Sequence, residues 1–273
     1  MRRSPHAIAL AVLVSACAGP RPAGVSTGWK YAGQDRITAA DKAVVVTGSP
    51  LASQVGVDIL QQGGNAIDAA VAVGFALAVV HPEAGNIGGG GFLLYRTADG
   101  ATYALDYREM APSGASRDMY LDPDGDPNDL SVTGALAAAV PGSPAGLLEM
   151  HQRFGRLPFE QVINPAIRLA NDGFLVDSFR YESIGDEMSR LFLFPASRAQ
   201  FLPGNAPPRP GTILVQRDLG KTLERIRDKG AAGFYAGKTA DLIVEEMERS
   251  GGLITKEDLA NYKAWWRDPV ILT

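Results

Sequence analysis

At 273 residues, with 46% hydrophobic and 21% charged side chains and a net charge of -4, the chain is long enough to bury a sizeable core and reads as one soluble globular unit. No basic patch appears, which excludes nucleic acid as an expected partner. A single cysteine rules out an intrachain disulfide, and three histidines, at positions 6, 81 and 151, are too scattered to suggest a metal site.

The chain opens with Met1-Arg2-Arg3 and a short apolar run from Ala7 to Ala16, the pattern of a secretory signal. Val14-Ser15-Ala16-Cys17 resembles a bacterial lipobox, which makes Cys17 the expected lipidation site and residues 1–17 the leader. The alternative is an ordinary signal peptide that happens to contain a cysteine. Residues 18–40, punctuated by proline and glycine, read as a tether, and a domain is expected over 41–273.

Ala43 to Thr47 reads as a short buried strand. Ser49-Pro50 then supplies a cap with proline at the first helical position, and Leu51, Val55 and Ile59 recur on one face of a helix that Gly63 ends. Asn65, with Asp68 three residues on, starts a second helix near Ala66. From there to Val80 nearly every residue is apolar, so this helix is expected to be buried all round. At about 15 residues it is too short to span a bilayer, which takes roughly 20. His81-Pro82 closes it.

Gly88 to Gly91 follow, then Phe92 to Arg96, an Asp99-Gly100 turn, and Thr102 to Tyr107, a pattern that predicts a β-hairpin. The glycines lack the ending of a phosphate loop and no helix follows them, so they mark close backbone approach rather than a nucleotide cradle. On the second strand Tyr103, Leu105 and Tyr107 face one way, Asp106 and Arg108 the other. Arg108 at the strand end is open to two readings. It forms a local ion pair with Asp106 or Glu109, or its planar fork recognises a carboxylate.

Residues 113–128, rich in Asp, Pro and Gly, read as a surface excursion. Ser143-Pro144 repeats the cap-plus-proline device and starts a helix with Leu147 and Phe154 inward and Gly155 as its stop. Ser143 is a cap rather than a nucleophile, since no G-x-S-x-G elbow surrounds it. A helix over Phe159 to Asn171 is expected to kink or divide at Pro165, and another to cover Phe179 to Leu191. Pro195 to Pro210, with five prolines, reads as a loop. Amphipathic helices follow over Arg217 to Lys229 and Lys238 to Ser250, then a short one over Lys256 to Tyr262. Trp265 and Trp266 are assigned to core or rim packing, and Val270 to Thr273 has strand character.

Two segments carry a specific likeness. PLASQVGVDILQQGGNAIDAAVAVGFALAVVHPEAGNIGGGGFLLYR at 50–96, with DYREMAP at 106–112, closely resembles the gamma-glutamyltranspeptidase family, also called glutathione hydrolases, and GGLITKEDLANYKAWWRDPV at 251–270 resembles it again. The resemblance runs from about Ala43 to the last residues. It implies an α+β fold, part of the αββα sandwich of N-terminal-nucleophile hydrolases, helix-rich and ending before the catalytic subunit. It further implies that Arg108 binds the α-carboxylate of a gamma-glutamyl substrate such as glutathione, with no cofactor and no metal. Family members cut themselves and use the threonine exposed at the new N-terminus, whose own amine serves as base. That threonine lies beyond this sequence, and the amine of Thr273 is locked in a peptide bond. The chain is therefore expected to be inactive alone and to need a partner segment carrying the nucleophile; its leader and lipobox add the expectation of a bacterial periplasmic location with a lipid anchor at Cys17. Alternatives are a non-catalytic gamma-glutamyl-binding remnant or partner subunit, and an acylase-like relative, against which the R-E-M-A-P context argues.

Overall fold

The computed structural model describes residues 39–271. The leader, Cys17, His6, nearly all of the tether and Thr273 lie outside them. In chain order the helices are α1 (Pro50–Gln61), α2 (Ala66–Val80), α3 (Ser143–Phe154), α4 (Phe159–Asp172), α5 (Ser178–Asp186), α6 (Met188–Leu191), α7 (Pro195–Phe201), α8 (Arg217–Lys229), α9 (Ala232–Tyr235), α10 (Gly237–Ser250) and α11 (Lys256–Asn261). The strands are β1 (Phe92–Arg96), β2 (Thr102–Asp106), β3 (Phe174–Leu175), β4 (Ile213–Leu214) and β5 (Trp265–Arg267).

Helix α2 is the hub. Eleven of its fifteen residues are buried, which leaves no continuous solvent face and lets α1, α3 and α4 all pack on it. It starts in a capping box: the Asn65 side chain accepts from the amides of Ile67 and Asp68 at 2.9 and 3.0 Å, and Asp68 accepts from the Asn65 amide at 2.8 Å. Asp68 is fully buried and also takes the amide of Arg156 at 3.0 and 3.1 Å, so one carboxylate joins the start of α2 to the turn after α3. At the other end, buried Arg180 and Gln216 donate to the carbonyls of Val80 and Val79, satisfying groups that a helix C-terminus leaves free.

Strands β1, β2 and β5 form one antiparallel sheet in that order, with Leu93 opposite Leu105 and Leu105 opposite Trp266. That face is covered by α3. Tyr95 lies 5.0 Å from Phe154 between ring centroids, and the Arg153 guanidinium lies 4.2 Å from the centre of Trp266. The opposite face carries Phe92, Leu94 and Trp265, at 65%, 72% and 55% exposure. The tryptophan pair expected as simple packing is thus a third strand, because alternation puts Trp266 under the sheet and Trp265 outside.

Several expectations fail for identifiable reasons. Ala43 to Thr47 forms no strand; the segment has no ladder partner among the described residues, and Val46 is 86% exposed. Likewise 270–271 are not a strand. The Ser49 side chain caps nothing: its hydroxyl is buried without a partner, and Thr47 instead accepts the Ser49 amide at 3.0 Å. Ser143 is the first residue of α3 rather than its cap, which is Gly142. Pro165 lies inside a single continuous α4. Burial of Val162, Ile163, Ala166, Ile167 and Ala170 outweighs the roughly 3 kcal/mol that an interior proline costs. The helix expected over 179–191 is two, α5 and α6, meeting at Glu187. Residues 195–210 are not all loop, since Pro195 occupies the first turn of α7, where a missing N–H is tolerated. The two-residue pair β3–β4 is too short to leave a period in the sequence.

Candidate functional site

The tetraglycine run extends the hairpin. Gly91 and Tyr107 exchange amide–carbonyl bonds at 3.0 and 3.2 Å, continuing the β1–β2 ladder past its formal end. A Cβ on Gly90 would lie 2.5 Å from the Tyr107 carbonyl oxygen and 2.7 Å from the Glu109 amide, so only glycine fits. The carbonyl of Gly89 accepts from the amides of Gly142 and Ser143, at 2.8 and 2.9 Å, which ties the glycines to the start of α3. Three residues after Tyr107, Met110 pairs in both directions with Val140, at 2.8 and 3.1 Å.

Arg108 is held between those two anchors. Its amide donates to Asp106 Oδ1 at 3.1 Å, and its carbonyl accepts from the hydroxyl of Tyr262 at 2.8 Å. The side chain is 66% exposed, and Nε lies 3.2 Å from Oε2 of Glu109. Glu109 in turn faces the spot where a Gly90 Cβ would sit, which places the arginine beside the glycine run. An ion pair this exposed contributes about 0–1 kcal/mol, so parting from Glu109 would cost the guanidinium little. Asp106, the other acid in the local reading, pairs with Arg267 of β5 at 2.8 Å instead. The Arg108 amide, then Arg267, holds the Asp106 carboxyl below its ordinary range.

Under this surface lies a tyrosine stack. Tyr262 and Tyr235 are parallel within 4° at 5.6 Å between centroids. Burial first, then the nearby Asp106 and Glu109 carboxylates, push the Tyr262 hydroxyl up to about 12, so it is a neutral hydrogen-bond donor throughout the neutral range. Tyr107 is raised as well, by burial. None of these contacts was visible in the sequence: Tyr262 is 154 residues from Arg108, and Arg267 is 161 from Asp106. Only the KEDLANY segment, as part of the family-like string, marked the neighbourhood.

The histidines stay apart from this site, and Ser143 touches it only through its amide bond to Gly89. Ser143 is buried at 7% exposure in the first turn of α3. His151 Nε2 lies 3.0 Å from the Leu157 carbonyl oxygen, and His81 stacks on Phe179. Among the described residues no cluster of three or more His, Cys, Asp or Glu could hold a metal, and no helix is long and apolar enough to cross a membrane.

Residues 52–273 match the family model described as Gamma-glutamyltranspeptidase. The chain belongs to that family. It is 47% identical over 233 residues to a glutathione hydrolase proenzyme of Escherichia coli (strain K12), which covers 85% of this chain and 40% of the relative. It is 42% identical over 236 residues to the Acylase ACY 1 proenzyme of Pseudomonas sp. (strain V22), covering 84% of this chain and 42% of that one. Among solved structures, the gamma-glutamyltranspeptidase of Helicobacter pylori superimposes with a TM-score of 0.84 at 46% identity, over 86% of this chain and 68% of that chain. The chain thus spans about two fifths of the length of these curated relatives. Its fold is the α+β architecture of the gamma-glutamyltranspeptidase branch of the N-terminal-nucleophile hydrolases, in part. The hairpin, the glycine run, Arg108 and Tyr262 all fall inside the stretch that matches the gamma-glutamyltranspeptidase model.

Proposed function

We propose that this chain carries the donor-binding arginine of a gamma-glutamyltransferase and glutathione hydrolase. Arg108 grips the α-carboxylate of the donor through two parallel N–H···O contacts, and the donor's γ-amide extends toward a threonine outside this sequence. The threonine hydroxyl attacks the γ-carbonyl while its own α-amine takes the proton. That ammonium returns the proton to the leaving nitrogen as the tetrahedral intermediate collapses, which expels a neutral amine and leaves a gamma-glutamyl ester that water or an amino acid's amine then cleaves. Self-cleavage of a precursor exposes the threonine, so the segment that bears it is this chain's partner. Cys17, which becomes the first residue of the mature chain when the leader is cut, anchors the protein by lipid to the bacterial cell envelope, on the periplasmic side.

The observation that carries the proposal is an exposed guanidinium with a doubly anchored backbone, beside the glycine run, within the family-matching residues. It is tested by Arg108→Lys in the full-length protein. One ammonium cannot make a two-pronged contact, and a charged hydrogen bond is worth roughly 1.5–3 kcal/mol, so KM for gamma-glutamyl-p-nitroanilide should rise about 10-fold or more, with kcat nearly unchanged. An unchanged KM rejects the assignment. The similarity to an acylase supports a second reading in which the same scaffold cleaves other amides. It predicts that an acyl-p-nitroanilide lacking the α-amino-acid group is turned over as well as the gamma-glutamyl one, and that Arg108→Lys affects neither.

A further inference from the structure

Helix α11 and the residue that follows it brace the segment that carries Arg108 at two points. Asp258 Oδ1 accepts the Ser113 amide at 2.9 Å, and the Tyr262 hydroxyl donates to the Arg108 carbonyl at 2.8 Å. The helix is itself fixed by a capping box between Thr255 and Asp258. Tyr262 has little freedom, because it stacks on Tyr235, whose hydroxyl donates to the Pro141 carbonyl at 2.8 Å and accepts the Ala145 amide at 3.2 Å. The way through is kept open by Gly142. A Cβ there would stand 2.2 Å from the Tyr262 hydroxyl oxygen and 2.0 Å from the Tyr107 carbonyl.

We propose that Tyr262 is a positioning residue for donor binding: its hydroxyl fixes the Arg108–Glu109 peptide plane and thereby aims the guanidinium. The inference rests on the carboxylate-binding reading of Arg108. Leverage explains why a backbone bond matters. A guanidinium about 6 Å from its Cα moves about 1 Å for each 10° of backbone tilt, and misplacement on that scale costs on the order of 100-fold where two-pronged geometry is required. The Arg108 amide bond to Asp106 fixes one side of the residue, and Tyr262 fixes the other. The effect is on binding, because Tyr262 acts through the backbone of the residue that holds the carboxylate.

The test is a double-mutant cycle in the full-length protein with gamma-glutamyl-p-nitroanilide as donor. Tyr262→Phe keeps the stacked ring and deletes only the donor. It should raise KM about 3- to 30-fold while kcat stays within about 2-fold. In the Arg108→Lys background the same change should add less than about 2-fold. A KM within 2-fold of wild type overturns the proposal, as does an equal rise in both backgrounds, which would make Tyr262 a general brace of the fold. If Arg108→Lys itself leaves KM unaltered, the carboxylate-binding reading fails and this inference with it. That outcome is distinct from a raised KM in Arg108→Lys accompanied by a silent Tyr262→Phe.

Discussion

Replacing Asp68 by asparagine removes one charge and one acceptor from the start of α2 and leaves the shape almost unchanged. The carboxylate is fully buried. It accepts from the amides of Asn65 at 2.8 Å and Arg156 at 3.0 and 3.1 Å, with Leu157 at 3.4 Å from both oxygens. Asparagine offers one oxygen, and its NH2 points a donor at amides that are themselves donors. Losing a charge-assisted bond costs about 1.5–3 kcal/mol and stranding a buried amide about 1–3 kcal/mol, for a total of about 2.5–6 kcal/mol. At roughly 2–4 °C per kcal/mol for a domain of this size, the thermal midpoint should fall by about 5–24 °C. Thermal unfolding of wild-type and Asp68→Asn full-length protein, followed by circular dichroism at neutral pH, reads the shift directly. A decrease below about 2 °C, corresponding to less than about 1 kcal/mol, would mean that the carboxylate is not what joins α2 to the turn after α3, and the account of the hub would be wrong.

The raised Tyr262 hydroxyl predicts an alkaline limb. Between the ordinary tyrosine value near 10 and the folded value of about 12 the unfolded chain has lost a proton that the native state keeps. Stability is thus complete below about pH 10 and falls as pH rises toward 12. Chemical denaturation across pH 9–12 should show a shallower decline in Tyr262→Phe, and parallel curves would refute the assignment. At the other end of the chain, Cys17→Ser should abolish incorporation of radiolabelled palmitate and release the protein from the membrane fraction in a bacterial host, whereas retained label would rule out Cys17 as the anchor.

Local chemistry wrote much of this molecule plainly. Asn65 and Asp68 announced the cap of α2, its apolar run announced burial, and Asp99-Gly100 between two alternating segments announced the hairpin. Arg108 was legible as a candidate, and the strings around it carried the family. Pairing was not legible. Trp265 to Arg267 looked like packing because three residues hold too little alternation to declare a strand, and Ala43 to Thr47 looked like a strand although nothing among the described residues pairs with it. Proline misled twice in the same direction: it was tolerated inside α4, where burial compensates, and at the start of α7, where no N–H is needed.

By itself the sequence determined the local elements and their burial, because helix caps, turns and apolar periodicity depend on neighbours within a few residues. It also carried, at Arg108, the chemistry suited to a carboxylate. Only the tertiary structure decided how that arginine is held. Its carbonyl is gripped by Tyr262, its would-be partner Asp106 is diverted to Arg267, and its path is kept clear by Gly90 and Gly142. Contacts between residues some 150 positions apart are set by how helices and sheet pack together, and that packing leaves no periodic trace along the chain.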